Sequence, residues 1–450
     1  MTGGYFSARD LRRELVLDCD VVVVGSGAGG AVVATELAKA GRRVVVLEEG
    51  PRVDAAQHGA MRPSESLRHV WRDGALSLAV GMGDTPAVNV TMGRVVGGSS
   101  MLTGGVCFRI PDKVMAEWSE RGLSAYSQRE MEPYFEHVEK AIHVEEVPAE
   151  MRSHSTNLFI RGAQRRGIEM KPMRRNTKGC GGCGRCNFGC PEEAKLSVDL
   201  SYLPRAVAEG AEVWSHCLVE RIETKGRRAV GVSGHILNGR GGKAKSRLRV
   251  HARQVILAAG AWHSPQILKR SGIGRRSPVG DDMTLHPGFR VLARFEEKVE
   301  GWKGALQSAW TDHYEDERIS LMALFVPAGV LGATMPGVGV EHTDNAKHIP
   351  HLAMFGGVIH DQGGGTVRRG VGREPVVTYR MSKEDRALVP RVIRHLAETF
   401  FEAGAKEVYL PVLGLRSVPI RQLPIGCWDA HSMRRAGTCS RSSWRSASGV

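Results

Sequence analysis

The chain has 450 residues, 42% of them hydrophobic and 24% charged, with 55 glycines, 9 cysteines and a formal charge of +14. That length exceeds what one hydrophobic core sustains, so two or three domains are expected. The charge raises nucleic acid or an anionic membrane as partners, but the basic residues are scattered and lack interleaved aromatics, so no nucleic-acid partner is expected.

Residues 1–10 show no apolar core behind a basic start, which argues against a secretory signal and makes the cytoplasm the expected setting. The run Val21 to Val24 reads as a buried parallel strand. It leads into Gly25, Ser26, Gly27, Ala28, Gly29 and Gly30 and then a helix through residue 40, with Gly41 placed to cap it. Gly25 permits the tight turn, Gly27 lets the backbone approach a pyrophosphate, and Gly30 lets the helix pack against the sheet. A second strand follows at Val44 to Leu47. Glu48 closes it, about 20 residues beyond the glycines, where an acid bonds a ribose hydroxyl. Strand, helix and acid in register predict a dinucleotide site whose phosphates face the helix N-terminus.

Three later segments turn the dinucleotide into a flavin. Gly93, Arg94, Gly97, Gly98, Ser99, Ser100, Thr103, Gly104 and Gly105, followed by Arg109, offer backbone N–H groups and hydroxyls to a phosphate or a ring carbonyl. The strand through Val219 suits the edge of an adenine pocket. Val255 to Leu257 reads as a buried strand ending in small residues, with Gly260, Ala261 and Ser264 free to lie against a cofactor. Between the last two, Arg240 to Arg249 reads as a hairpin with a solvated face.

Cys180, Cys183, Cys186 and Cys190 precede Pro191 in the spacing C-x2-C-x2-C-x3-C-P of a ferredoxin cluster loop. An iron–sulfur cluster, a structural zinc, paired disulfides and four reduced thiols all fit that spacing. The remaining cysteines are isolated.

The stretch Ser320 to Ala333 is uncharged but broken by Pro327 and glycines, so it reads as a core or substrate-facing segment, with contact to a membrane surface as an open alternative. Gly356 to Tyr379 alternates and turns like an antiparallel sheet. Ser382 to Gly404 reads as a long amphipathic helix with Ser382 as N-cap.

Together these segments resemble the glucose–methanol–choline oxidoreductases, which bind FAD, over about Asp18 to Met433. The resemblance implies an α/β fold: a Rossmann-like, doubly wound FAD-binding domain and a substrate domain built on an antiparallel sheet. The expected division is 18–290 for FAD, with 111–200 as an inserted cap and cysteine loop, 291–425 for substrate, and 426–450 as a return segment. Thr103 stands where family members often show Asn. The cysteine loop, with Lys195 after it, resembles long-chain alcohol oxidases of the family, and its clustered sugar dehydrogenases allow the iron–sulfur reading.

The implied reaction takes a hydride from the CH–OH group of a small-molecule alcohol, bulky or lipophilic, with O2 or a redox acceptor receiving the electrons. His431 matches the family's histidine that removes the hydroxyl proton, a task suited to a group titrating near neutrality. His263 and His286 read as packing residues. After Met433 the chain carries four arginines and no acid, without periodicity. Family members continue beyond this point and supply a second catalytic His or Asn there, so a truncated or frameshifted chain is expected. A flavin-binding remnant without turnover, or a flavin and iron–sulfur electron-transfer subunit, are the competing readings.

Overall fold

The computed structural model describes residues 3–239, 243–370, 372–411 and 418–419. Strands Leu15–Val24 and Val44–Leu47 pair in parallel, Val21 opposite Val44 and Val24 opposite Leu47. Val21 to Val24 and Val44 to Leu47 are all buried, as strands covered on both faces must be. They sit at the centre of a seven-stranded sheet. Its order is 4–7, 212–215, 44–47, 15–24, 243–257, 228–238, 217–225, the last three strands forming an antiparallel meander. In that meander Leu248 and Val250 point inward while Arg247 and Arg249 face solvent, the period-2 pattern of the expected hairpin. Helix Ala28–Lys39 covers one face of the sheet and packs on helix Tyr202–Ala208.

A second seven-stranded sheet runs 418–419, 407–409, 288–294, 352–359, 319–323, 309–311, 171–172, with every pairing antiparallel. Helices His154–Arg165 and Lys383–Glu402 lie on it. Phe159 stacks on Phe355 with ring centroids 3.7 Å apart and meets Phe400 edge-on at 5.0 Å. Ser382 caps the second helix as expected, accepting from the Asp385 amide while the Asp385 carboxylate accepts from the Ser382 amide. The 320–333 stretch divides into strand Ile319–Ala323 and helix Ala328–Ala333, broken at Pro327.

The 356–379 region is split between two sheets. Strand Leu352–Ile359 belongs to the second, whereas the hairpin Gly364–Arg368 and Val376–Arg380 joins Leu78–Gly81 and Val88–Asn89 in a four-stranded third sheet. The chain turns at Gln362 and Gly363, whose amides donate to the buried Asp385 carboxylate at 3.0 and 2.8 Å. That carboxylate is also paired with Arg318, so one buried acid fixes the crossing. Among the described residues no helix is long and apolar enough to cross a membrane.

Candidate active site

Strand 15–24 ends at Gly25, whose φ of 100° only glycine adopts cheaply. A Cβ on Gly30 would lie 2.0 Å from the Gly25 carbonyl oxygen, so helix 28–39 begins in contact with the turn. Gly27 occupies the N-cap and offers no side chain. The first helical N–H groups are therefore left for a ligand, with the positive end of the helix dipole behind them.

Glu48 is 8% exposed. Its Oε2 accepts from the Ser26 hydroxyl at 2.6 Å and the Ser26 amide at 3.2 Å, and its Oε1 accepts from the Gly50 amide at 2.9 Å. Burial pushes the carboxyl above its ordinary range, against these three donors. A carboxylate has about four acceptor positions. One remains toward the cavity for a ribose hydroxyl.

The Ser26 hydroxyl also accepts from the Gly97 amide at 3.0 Å, joining the first turn to the second glycine–serine loop. There Gly97 and Gly98 both have positive φ, and a Cβ on Gly98 would lie 2.8 Å from the Gly27 Cα. The Gly27 and Gly98 backbones therefore pack directly on one another at the floor of the cavity that both line. Ser100 donates to the Gly97 carbonyl at 2.7 Å, Ser99 accepts from the Gly93 amide at 3.0 Å, and Thr103 donates to the Ser100 carbonyl at 3.2 Å. Strand 243–257 ends against this turn through Ala258, whose amide donates to the Val24 carbonyl at 2.8 Å, and Gly260 opens the next helix with φ 79°.

These pieces enclose a cavity of about 700 Å³. Of the residues singled out in the sequence, Gly25, Gly27, Ala28, Gly29, Glu48, Gly98, Ser99, Ser100, Thr103, Val219 and Gly260 line it. Ser26, Gly30, Arg94, Gly97 and Ser264 do not. Ser26, Gly30 and Gly97 support the lining from behind, and Arg94 turns toward Glu49 at 4.0 Å. The cavity falls in the size range of cofactor pockets, and Gly27, Gly29 and Gly260 line it with no side chain to fill it. The residues present therefore fit a flavin dinucleotide.

Other wall residues carried no signal in the sequence. Arg72 is buried and bridges Glu49 at 2.5 Å and Glu374 at 3.0 Å. Asn176 is pinned by its own amide to the Gly105 carbonyl at 3.0 Å and by Nδ2 to the Leu196 carbonyl at 2.8 Å. His263, read as a packing residue, lines the cavity with Nε2 3.0 Å from Glu374. These contacts join residues far apart in the chain, so no local pattern announces them. His286 is exposed. His431 lies outside the described residues.

The cysteine loop gives the metal reading no support. Cys180, Cys183, Cys186 and Cys190 are free thiols, and no group of three or more His, Cys, Asp or Glu among the described residues is placed to hold a metal ion. The loop is held by packing on its neighbours. Gly184 packs on the Trp302 carbonyl, the Gly182 carbonyl accepts from the Gly304 amide at 2.8 Å, and Gly189 packs on His58. Cys186 instead accepts from Arg175 Nη2 at 2.9 Å. Its backbone carbonyl accepts from Lys195 Nζ at 2.8 Å. Neither the iron–sulfur nor the zinc reading is supported among the described residues. Burial, with no ion-pair partner, pulls the Lys195 ammonium down to about 8.

A mostly parallel sheet with glycine turns over a dinucleotide-sized cavity, beside an antiparallel sheet, defines a flavin-type oxidoreductase. Residues 19–288 match the family model described as GMC oxidoreductase. The chain belongs to the GMC oxidoreductase family, whose members bind FAD. It is 36% identical over 411 residues to a GMC-type oxidoreductase of Mycobacterium tuberculosis, covering 91% of this chain and 63% of that one. It is 28% identical over 413 residues to a long-chain-alcohol oxidase of Arabidopsis thaliana, covering 87% and 54%. The chain thus spans a little over half to two thirds of the length of these two relatives. Among solved structures, formate oxidase of Aspergillus oryzae has a TM-score of 0.66 at 14% identity, over 94% of this chain and 86% of that one. Pyridoxine 4-oxidase has a TM-score of 0.62 at 17% identity, over 86% and 80%. Both show the fold.

Proposed function

We propose that the chain is an FAD-dependent oxidoreductase that takes a hydride from the CH–OH group of an alcohol, giving an aldehyde or ketone, with O2 or another redox acceptor receiving the electrons. One observation carries the reading: three glycine-rich segments distant in sequence, with Glu48 and Val219, meet around one cavity. When bound, the flavin supplies the redox step.

The chain's own residues bind, orient and exclude water. Glu48 and the N–H groups of helix 28–39 hold the ribose and phosphate portions. Val90, Met92, Trp262, Met283 and Leu285 give the cavity an apolar wall that keeps water away. Thr103 and Asn176 present polar atoms beside the backbone of Gly105, where the reacting end of the cofactor would lie. His431 is the proposed acceptor of the hydroxyl proton as hydride leaves. A bulky or lipophilic alcohol is the proposed substrate, supported by the apolar wall and by similarity to long-chain-alcohol oxidases.

The test is the absorption spectrum of the purified chain before and after acid precipitation, followed by anaerobic addition of primary alcohols of increasing chain length. Released free FAD, and bleaching of the flavin bands that strengthens with chain length, are expected. A protein that binds FAD yet is bleached by no alcohol would refute the reaction.

A further inference from the structure

Lys195 and Arg175 are 3% and 1% exposed. Both are basic side chains, and among the described residues neither forms an ion pair. Interior cations in that condition are costly unless carbonyl oxygens take the place of water. Lys195 Nζ donates to the carbonyls of Met101 at 2.7 Å, Thr103 at 2.9 Å and Cys186 at 2.8 Å. Arg175 Nε donates to the carbonyl of Gly104 at 2.7 Å and Nη2 to the Cys186 sulfur at 2.9 Å. Arg175 Nη1 is buried without a partner.

Three of the accepting carbonyls, those of Met101, Thr103 and Gly104, fall in one segment, and the fourth is in the cysteine loop. Thr103 and Gly105 of that segment face the cavity. Its other side is therefore tied to the cysteine loop by two fixed cations. Gly105 has φ 81°, and a Cβ on Gly104 would collide with the Gln307 side chain at 1.8 Å, so the segment has little freedom of its own. Removing Lys195 would take the donor from three carbonyls at once, and removing Arg175 would take it from the Gly104 carbonyl and the Cys186 sulfur.

We propose that Lys195 and Arg175 are positioning residues that hold the Met101–Gly105 segment against the flavin and supply a positive field to that end of the cavity. The second half of the statement rests on the flavin reading above; the first half does not. Two cations near the ring favour the more negatively charged, reduced form of the cofactor, and a fixed segment keeps that bias constant through turnover. The cysteine loop then serves as the anchor of the clamp, with Cys186 contributing both its carbonyl and its sulfur.

The experiment compares the wild-type chain with Lys195→Met, Lys195→Arg and Arg175→Met. Amide hydrogen exchange is read on the flavin-free chain, and the flavin midpoint potential on the loaded one. In Lys195→Met and Arg175→Met, exchange in residues 98–107 is expected to rise about tenfold or more, the loss of at least one charge-assisted hydrogen bond, while helix 383–402 stays unchanged. The midpoint potential is expected to fall by about 30 mV, a tenfold change in the reduced-to-oxidised ratio of a two-electron couple. Lys195→Arg, which keeps the charge, should restore most of both effects. Unchanged exchange, exchange that rises equally in helix 383–402, or an unchanged potential in loaded variants would each overturn the proposal. If the wild-type chain binds no FAD, the functional reading fails by itself and exchange alone decides whether the clamp exists.

Discussion

Gly29 and Gly30 are neighbours in helix 28–39, and the structure assigns opposite signs to the same substitution at the two. A Cβ on Gly30 would sit 2.0 Å from the Gly25 oxygen, 3.1 Å from the Gly25 carbon and 3.3 Å from the Ala258 Cβ. Reaching ordinary contact with that oxygen needs a separation greater by about 1 Å, and the obstacle is backbone on both sides. Overpacking of this kind costs about 1–3 kcal/mol where side chains yield, so about 3 kcal/mol or more is expected here. A Cβ on Gly29 meets nothing within 4 Å. Alanine there gains the helix propensity that glycine lacks, about 0.5–1 kcal/mol. Urea unfolding of the flavin-free chain, followed by tryptophan fluorescence, should place the Gly29→Ala midpoint above wild type and the Gly30→Ala midpoint well below it. Because Gly29 also lines the cavity, Gly29→Ala should hold FAD more weakly despite its greater stability. Midpoints that move together, or a Gly30→Ala midpoint at the wild-type value, would refute the close approach of helix and turn.

Ser26→Ala removes the hydroxyl shared by Glu48 and the Gly97 amide; a loss of about 1–3 kcal/mol is expected, with weaker FAD retention in a fluorescence titration. Asp385→Asn breaks the pair between the buried Asp385 and the partly exposed Arg318, and about 3 kcal/mol should be lost at neutral pH. Burial opposes the Asp385 charge, but Arg318 and the Gln362 and Ser382 amides outweigh it and hold the carboxyl below 3.8. Its contribution is therefore full above that value and disappears as pH falls through the folded-state value, so the gap between wild type and Asp385→Asn in urea midpoint should narrow in acid. Phe159→Ala empties the space between Phe355 and Phe400, and calorimetry should show about 3–5 kcal/mol lost from the second sheet.

The dinucleotide turn was legible because its chemistry is local. Gly25, Gly27 and Gly30 are dictated by backbone approach within one βαβ unit, and spacing alone reports them. The capped helix at 383–402 was legible for the same reason: Ser382 and Asp385 close their box within a single turn. The cluster Arg240 to Arg249 reads as a hairpin with a solvated face, and from Lys243 on it forms the start of a strand paired antiparallel with 228–238. Arg72, Asn176 and His263 were not legible as cavity walls, because each is placed by partners 20 or more residues away. The transfer of strands 364–368 and 376–380 to a third sheet was hidden as well, since alternation specifies a strand and not its neighbours.

The cysteine loop marks the boundary most sharply. Its spacing permits four sulfurs to converge on a metal, and nothing local argues against it. Only the folded chain brings Arg175 and Lys195 against Cys186, a contact that no spacing reports. Sequence by itself determined the nucleotide-binding unit, the family and the set of glycine loops, because these depend on contacts between near neighbours. The shape of the cavity and the carbonyls that hold its buried cations were decided by tertiary packing, since charge and burial act between residues that sequence distance does not relate.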